Sequence, residues 1–315
     1  MSELNQWLEM LRSPNLDERL VAIKNLQLLG DENSLEGLIE ALKDQSIAVQ
    51  KLAVTGIWEL ANPVAVPALM ECLSSEVAEI RSEALAALGE LVNPDHLLKL
   101  LDALHMDNFH MQLNSLILLR KIHDAQSLPD VLAFFKSDRA ELREAAVTTL
   151  RYLNQVVRCQ PAIALISDPV DSVRRAAALT LGHLADPEVI PALCQALASD
   201  VDWQVRRDAA KSLMTHSNPE AIPSLEKAVS DQHWQVRKAA TQALQKMPDA
   251  SMVPTLIKAL TDEYSDVRKE AAIALGNIGN PDALTALQQA LDDPDREVSI
   301  QAQRAINKIS VPITN

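Results

Sequence analysis

The side chains able to do chemistry are few: seven His and three Cys among 315 residues. A metal centre needs several imidazole, thiolate or carboxylate ligands at fixed spacing. His96, His105, His110, His123, His183, His216 and His233 are scattered, and none is followed by Glu. His105 and His110 stand five residues apart, which does not put two ligands on one helix face. Cys72, Cys159 and Cys194 make no CxxC pair and have no His close by in sequence. A nucleophilic thiol needs a neighbouring base or a depressed pKa. No catalytic residue, metal or cofactor is expected, and the chain is read as a non-enzyme. One constellation stands above this background. Trp203 and Trp234 each precede a base by four residues, Arg207 and Lys238. On a helix that spacing lets a cation lie beside the ring, and an exposed Trp flanked by cations is a common binding anchor.

The elements that would carry these residues are helices. Leu and Ala dominate, only seven residues are Gly and aromatics make up 3%. Such a composition favours helix over strand and excludes an all-β fold. Internal repetition is stronger evidence. The strings Val173-Arg174-Arg175, Val205-Arg206-Arg207, Val236-Arg237-Lys238 and Val267-Arg268-Lys269 recur. The middle slot runs through Arg19, Gln50, Arg81, Gln112, Arg143, Arg174, Arg206, Arg237, Arg268 and Ser299, at steps of 31 residues and once 32. A helical repeat of that length is a helical hairpin that must stack on its neighbours to bury its apolar face. The expected fold is all-α: one right-handed α-solenoid of about ten hairpins over residues 1–315, centred on those slots. About 65–75% of it should be helix, in helices of about 11–15 residues. In the ninth unit Val267, Ala271, Ala272, Leu275 and Ile278 form the buried stripe.

Proline marks where helices start. Asn62-Pro63, Asn93-Pro94, Asp186-Pro187, Asn218-Pro219 and Asn280-Pro281 read as cap and first turn of the first helix in a unit. Ser13-Pro14, Asp168-Pro169 and Asp293-Pro294 read the same way for the second helix. A further Pro (Pro67, Pro129, Pro191, Pro223, Pro254) is expected to lie inside the first helix and bend it.

The Pro, the Asp eight residues on and the Arg six later, complete at Pro223/Asp231/Arg237 and Pro254/Asp262/Arg268, resemble the HEAT-repeat motif. The short period and the Val-Arg-x-x-Ala-Ala core resemble the subgroup named after phycobilisome lyases. The resemblance spans nearly the whole chain. It implies a solenoid whose second helices line a concave face. Its alternative implication is a bilin lyase-like protein, whose Trp and cations would hold a tetrapyrrole. Helical-repeat hydroxylases of similar fold carry His-Glu iron ligands, which are missing here.

The Asp–Arg pairs are read as structural. Asp168/Arg174, Asp200/Arg206, Asp231/Arg237 and Asp262/Arg268 should form a ladder, each Arg donating to its own Asp or a neighbour's. The unit at about 95–125 is irregular, with Met106 and Gln112 in those two slots. Relative to the repeated Arg, slots −3, +1 and +5 face the groove. In the C-terminal half they hold Trp203, Trp234, Arg175, Arg207, Lys238, Lys269 and Lys211, the candidate partner-binding strip. In the irregular unit they hold Phe109, Leu113 and Ile117, a secondary apolar patch.

The net charge is −14, with 23 acids and 13 bases in residues 1–157 and 20 and 16 in residues 158–315. Nucleic-acid binding is not expected of so acidic a chain. The expected partner is a protein with an acidic segment, gripped by a monomeric scaffold. No apolar run is long enough to cross a membrane. An odd, unpaired cysteine set and no leader-like start point to a reducing cytoplasmic setting.

Overall fold

A computed structural model describes residues 3–310. Twenty α-helices follow one another with no strand among the described residues. The chain divides into two compact units, Met1–Gln155 and Val156–Asn315, each an α-solenoid stack of five hairpins. In the N-terminal unit the hairpins are Glu3–Met10 with Leu16–Leu29, Leu35–Ala41 with Ile47–Leu60, Val66–Cys72 with Ala78–Leu91, Leu97–Leu104 with Phe109–Ile122, and Leu128–Ala133 with Ala140–Leu150. In the C-terminal unit they are Gln160–Ala164 with Asp171–Leu181, Val189–Ser199 with Trp203–His216, Ile222–Ala228 with Trp234–Leu244, Val253–Ala259 with Ser265–Ile278, and Leu284–Gln289 with Arg296–Ser310. Within each unit every second helix packs beside the next second helix.

The core follows the 3.6-residue pattern. Val267, Ala271, Ala272 and Leu275 are fully buried, as expected, and Ile278 is half-buried. Each buried Leu or Val contributes about 1.5–3 kcal/mol. Small residues set the helix spacing. A Cβ on Gly276 would stand 2.9 Å from the Ala305 backbone, so a side chain there would push the ninth and tenth hairpins apart.

Proline acts differently from the sequence expectation. Asn62, Asn93, Asn218 and Asn280 do cap, each accepting a backbone N–H two residues on at 2.9–3.0 Å. What they cap is a single 3-10 turn, such as Pro63–Ala65 or Pro219–Ala221, and the α-helix starts only after it. Pro67, Pro129, Pro223 and Pro254 therefore fall in the first turn of the α-helix, where no N–H is needed, and bend nothing. Pro191 is the third residue of its helix. The first helices are 5–8 residues long, except Val189–Ser199, below the expected length, and in all but Glu3–Met10 of these short ones a 3-10 turn before or after the α-helix takes up part of the segment. The second expectation also needs correcting. Asp168-Pro169 and Asp293-Pro294 lie in the connecting loop, and their helices begin at Asp171 and Arg296. Likewise Asn15, not Ser13, caps Leu16–Leu29.

Candidate interaction surface

The repeated Asp and Arg hold the frame. Each Asp accepts the N–H of the residue two further on, turning the loop into the second helix: Asp200 from Asp202, Asp231 from His233, Asp262 from Tyr264 and Asp293 from Asp295, at 2.8–2.9 Å. The Arg six residues later points one amino group back at the backbone carbonyl of its own Asp and forks the rest of the guanidinium onto the next hairpin's Asp. Arg174 thus reaches Asp200, Arg206 reaches Asp231, Arg237 reaches Asp262 and Arg268 reaches Asp293, with Nε–Oδ2 distances of 2.6–2.8 Å. Arg19 and Asp44 repeat the arrangement in the N-terminal unit. Burial pulls the Asp262 carboxyl upward, but the Arg237 fork and the Tyr264 N–H outweigh it and hold it below the usual carboxylate range. At Asp293 the Arg268 fork is the leading influence, and it too titrates low.

This frame sets the second-helix strip of the C-terminal unit. Arg175 donates to Gln204 and pairs with Asp171 at 3.2 Å. Arg207 forks onto the nearly buried Asp208 at 2.7 and 3.0 Å, and Lys211 approaches the same carboxylate at 3.6 Å. Lys238 and Lys269 share Asp266 at 3.1 and 3.2 Å, and the Lys238 contact leads in holding that carboxyl low. The bases expected to form an open cationic track are thus each ion-paired. Five bases meet three carboxylates, so the paired groups keep an excess of positive charge.

Trp203 and Trp234 are half-buried, and each has a face covered by the following hairpin. Trp203 stacks on His233 with ring centres 3.7 Å apart, and Trp234 stacks on Tyr264 at 5.0 Å. Arg207 lies over Trp203 at 5.2 Å, the cation–ring pair that the four-residue spacing implies. In both stacks the first residue of a second helix meets the residue capping the next second helix, 30 positions later. Phe109 and Arg139 repeat the relation as a cation over a ring at 4.5 Å. Sequence reading missed these couples, although the 30-residue spacing of aromatic and partner was there to find. Leu113 and Ile117 are half-buried and line a groove of about 300 Å³ with Arg120, Glu141 and Glu144.

A larger groove, about 610 Å³, lies on the ladder edge between the sixth and seventh hairpins, lined by Asp168, Arg174 and Asp200. Among the described residues no group of three His, Cys, Asp or Glu could hold a metal. Cys72 and Cys159 are buried, and Cys194 is half-buried. Burial raises all three thiols, Cys72 to about 11, away from the reactive range. No described helix is long and apolar enough to cross a membrane.

A family model described as HEAT repeats matches residues 4–89, 35–111, 159–245 and 225–307. Among solved structures, the crystal structure of an engineered protein is similar at 21% identity and a TM-score of 0.54. The match covers 99% of this chain and 100% of that one. At that identity the likeness concerns the fold. No curated protein matched.

Proposed function

The chain belongs to the HEAT-repeat family, and we propose that it is a non-catalytic scaffold that binds another protein through its second-helix face. One observation carries this reading. The Arg–Asp ladder locks successive hairpins, so that Trp203, Trp234, Arg175, Arg207, Lys211, Lys238 and Lys269 stand as one ordered, half-exposed strip. Rigid aromatic anchors held in place bind with little ordering cost. The cation excess suits an acidic segment, which would compete with Asp208 and Asp266 for their partners. The scaffold is proposed to be monomeric and cytoplasmic, with three free thiols.

The test is to capture a partner from the source cells and titrate it against Trp203→Ala/Trp234→Ala. A loss of about 2–4 kcal/mol in binding with helix content retained supports the reading. Unchanged binding refutes it.

The finer reading, a bilin lyase-like protein of the phycobilisome-lyase subgroup, draws on the same residues. The observation in its favour is Arg207 beside Trp203 on a half-exposed surface, a cation for a propionate and an indole edge for the tetrapyrrole. A shifted absorbance band on mixing the chain with a bilin, lost in the double Trp variant, would support it. An unshifted spectrum would remove it.

A further inference from the structure

In the N-terminal unit the first residue of every second helix is apolar: Leu16, Ile47, Ala78, Phe109 and Ala140. Helix starts usually carry polar or acidic residues or Pro. The same slot in the C-terminal unit holds Asp171, Trp203, Trp234, Ser265 and Arg296. The N-terminal row is accessible, with Leu16 41% and Ile47 49% exposed. The helix faces continue it. On the second hairpin Trp58 lies three turns beyond Ile47 and is 43% exposed. On the fourth, Leu113 and Ile117 follow Phe109 and open into the 300 Å³ groove. Between them the third hairpin presents exposed Ala78, Ser82 and Ala86, and nothing stands within 4 Å of where a Gly89 side chain would be. The result is a low floor between a mixed wall, Ile47, Lys51, Thr55 and Trp58, and an apolar one, Phe109, Leu113 and Ile117.

Along the helix starts this trough is bordered by exposed carboxylates: Glu18, Glu79, Asp107, Asp138 and Glu141. The helix dipole favours acids at such positions, but it gives no reason for exposed Leu, Ile and Trp beside them. Nearby bases are engaged. Lys51 pairs with Glu83 at 3.3 Å, Arg120 in the groove donates to Thr149 and the Ala145 carbonyl, Lys121 donates to the Gly89 and Glu90 carbonyls, and Arg139 covers Phe109. Residues 1–157, with ten more acids than bases (23 against 13), supply the same sign of field.

We propose that this face docks a basic amphipathic helix of a partner protein. Its apolar stripe would lie on Ile47, Leu113 and Ile117, and its Lys/Arg flank along Glu18, Glu79 and Glu141. Packed helices are about 10 Å apart, so the five second helices from Leu16–Leu29 to Ala140–Leu150 present about 40 Å, the length of about 27 helical residues. The inference shares with the proposed function the use of the second-helix face but depends on other residues.

The test uses the full chain and fluorescent synthetic helices of about 27 residues, followed by anisotropy. One peptide has a Leu stripe and Lys elsewhere, a second the same stripe with Glu, and a third the Leu/Lys composition scrambled. The Leu/Lys helix is expected to bind about tenfold or more tighter than either control, weakening as salt rises. Ile47→Asp and Leu113→Asp should each weaken it about tenfold. The exposed set Glu18→Lys/Glu79→Lys/Glu141→Lys, with retained helix content checked by circular dichroism, should weaken it severalfold and flatten the salt dependence. Equal binding of the scrambled peptide, or affinity indifferent to these substitutions, would overturn the proposal. So would a dimer of the chain dispersed by Leu113→Asp. Trp203→Ala/Trp234→Ala should leave the Leu/Lys helix bound, which separates this outcome from failure of the proposed function.

Discussion

The Arg237 guanidinium meets the Asp262 carboxylate as a two-toothed fork, Nε to Oδ2 at 2.6 Å and Nη2 to Oδ1 at 2.8 Å. The same side chain donates to the Asp231 carbonyl at 3.0 Å. One residue thus fastens its own loop and the next hairpin, and Arg237 is itself buried. Repeated at Arg174, Arg206 and Arg268, this relation fixes the register of the C-terminal unit.

Removing the fork should be costly. Arg237→Ala leaves the Asp262 carboxylate with only the Tyr264 N–H and takes the guanidinium donor from the Asp231 carbonyl, and the expected loss is about 1–3 kcal/mol. Urea unfolding of the full chain measures it. Arg237→Lys should recover only part, since an ammonium cannot make the planar fork. A change within error of zero would show that water replaces the partner freely.

The ladder also predicts acid sensitivity. The Asp231, Asp262 and Asp293 carboxyls are held below their ordinary range: at Asp231 and Asp262 the Arg forks and backbone N–H groups outweigh burial, and at Asp293 the Arg fork leads. A depressed carboxyl contributes fully above its unfolded pKa, and that contribution is lost as pH falls through the folded value. Stability should therefore be level above about pH 5 and fall below about pH 4. The difference between the natural chain and Arg237→Ala should shrink over the same acid range. A constant difference down to acid pH would exclude the ladder as its source.

The fourth hairpin should open first. Met106 and Gln112 replace the Asp and Arg, and Gln112 Nε2 keeps only the carbonyl half of the rung, at 2.9 Å to Met106. Amide exchange should be faster across residues 105–112 than across 231–237. Equal protection would show that apolar packing alone sets local stability.

The aromatic couples should behave as pairs. A double-mutant cycle on Trp234→Ala and Tyr264→Ala should give a coupling of about 0.5–1.5 kcal/mol. Additive losses would mean that the rings touch without mutual stabilisation.

Much of the fold was legible in the chain itself. A 31-residue period, the Val-Arg strings and the apolar stripe of Val267, Ala271, Ala272 and Leu275 are one-dimensional patterns, and helix periodicity turns them directly into hairpins and buried faces. The Asp–Arg pairs were legible as a ladder because both members recur in every complete unit. Which Asp each Arg would grip was not. Asp231 stands six residues before Arg237 and Asp262 25 after it, and only the stacking of hairpins brings the Asp262 carboxylate onto the guanidinium while Asp231 offers it a backbone carbonyl. The paired cations escaped for two different reasons. Asp208 follows Arg207 directly and Asp266 stands three residues before Lys269, so those partners were legible in the sequence and overlooked, whereas Asp266 meets Lys238 only through the packing of successive hairpins. Trp203 and Trp234 were recognisable as unusual, yet His233 and Tyr264 cover them from the next hairpin. Helical repeats write their elements locally, at spacings of three and four residues. The partners of the ladder Arg and of the two Trp rings stand about 25–30 residues away, and the angle at which hairpins pack chooses among them.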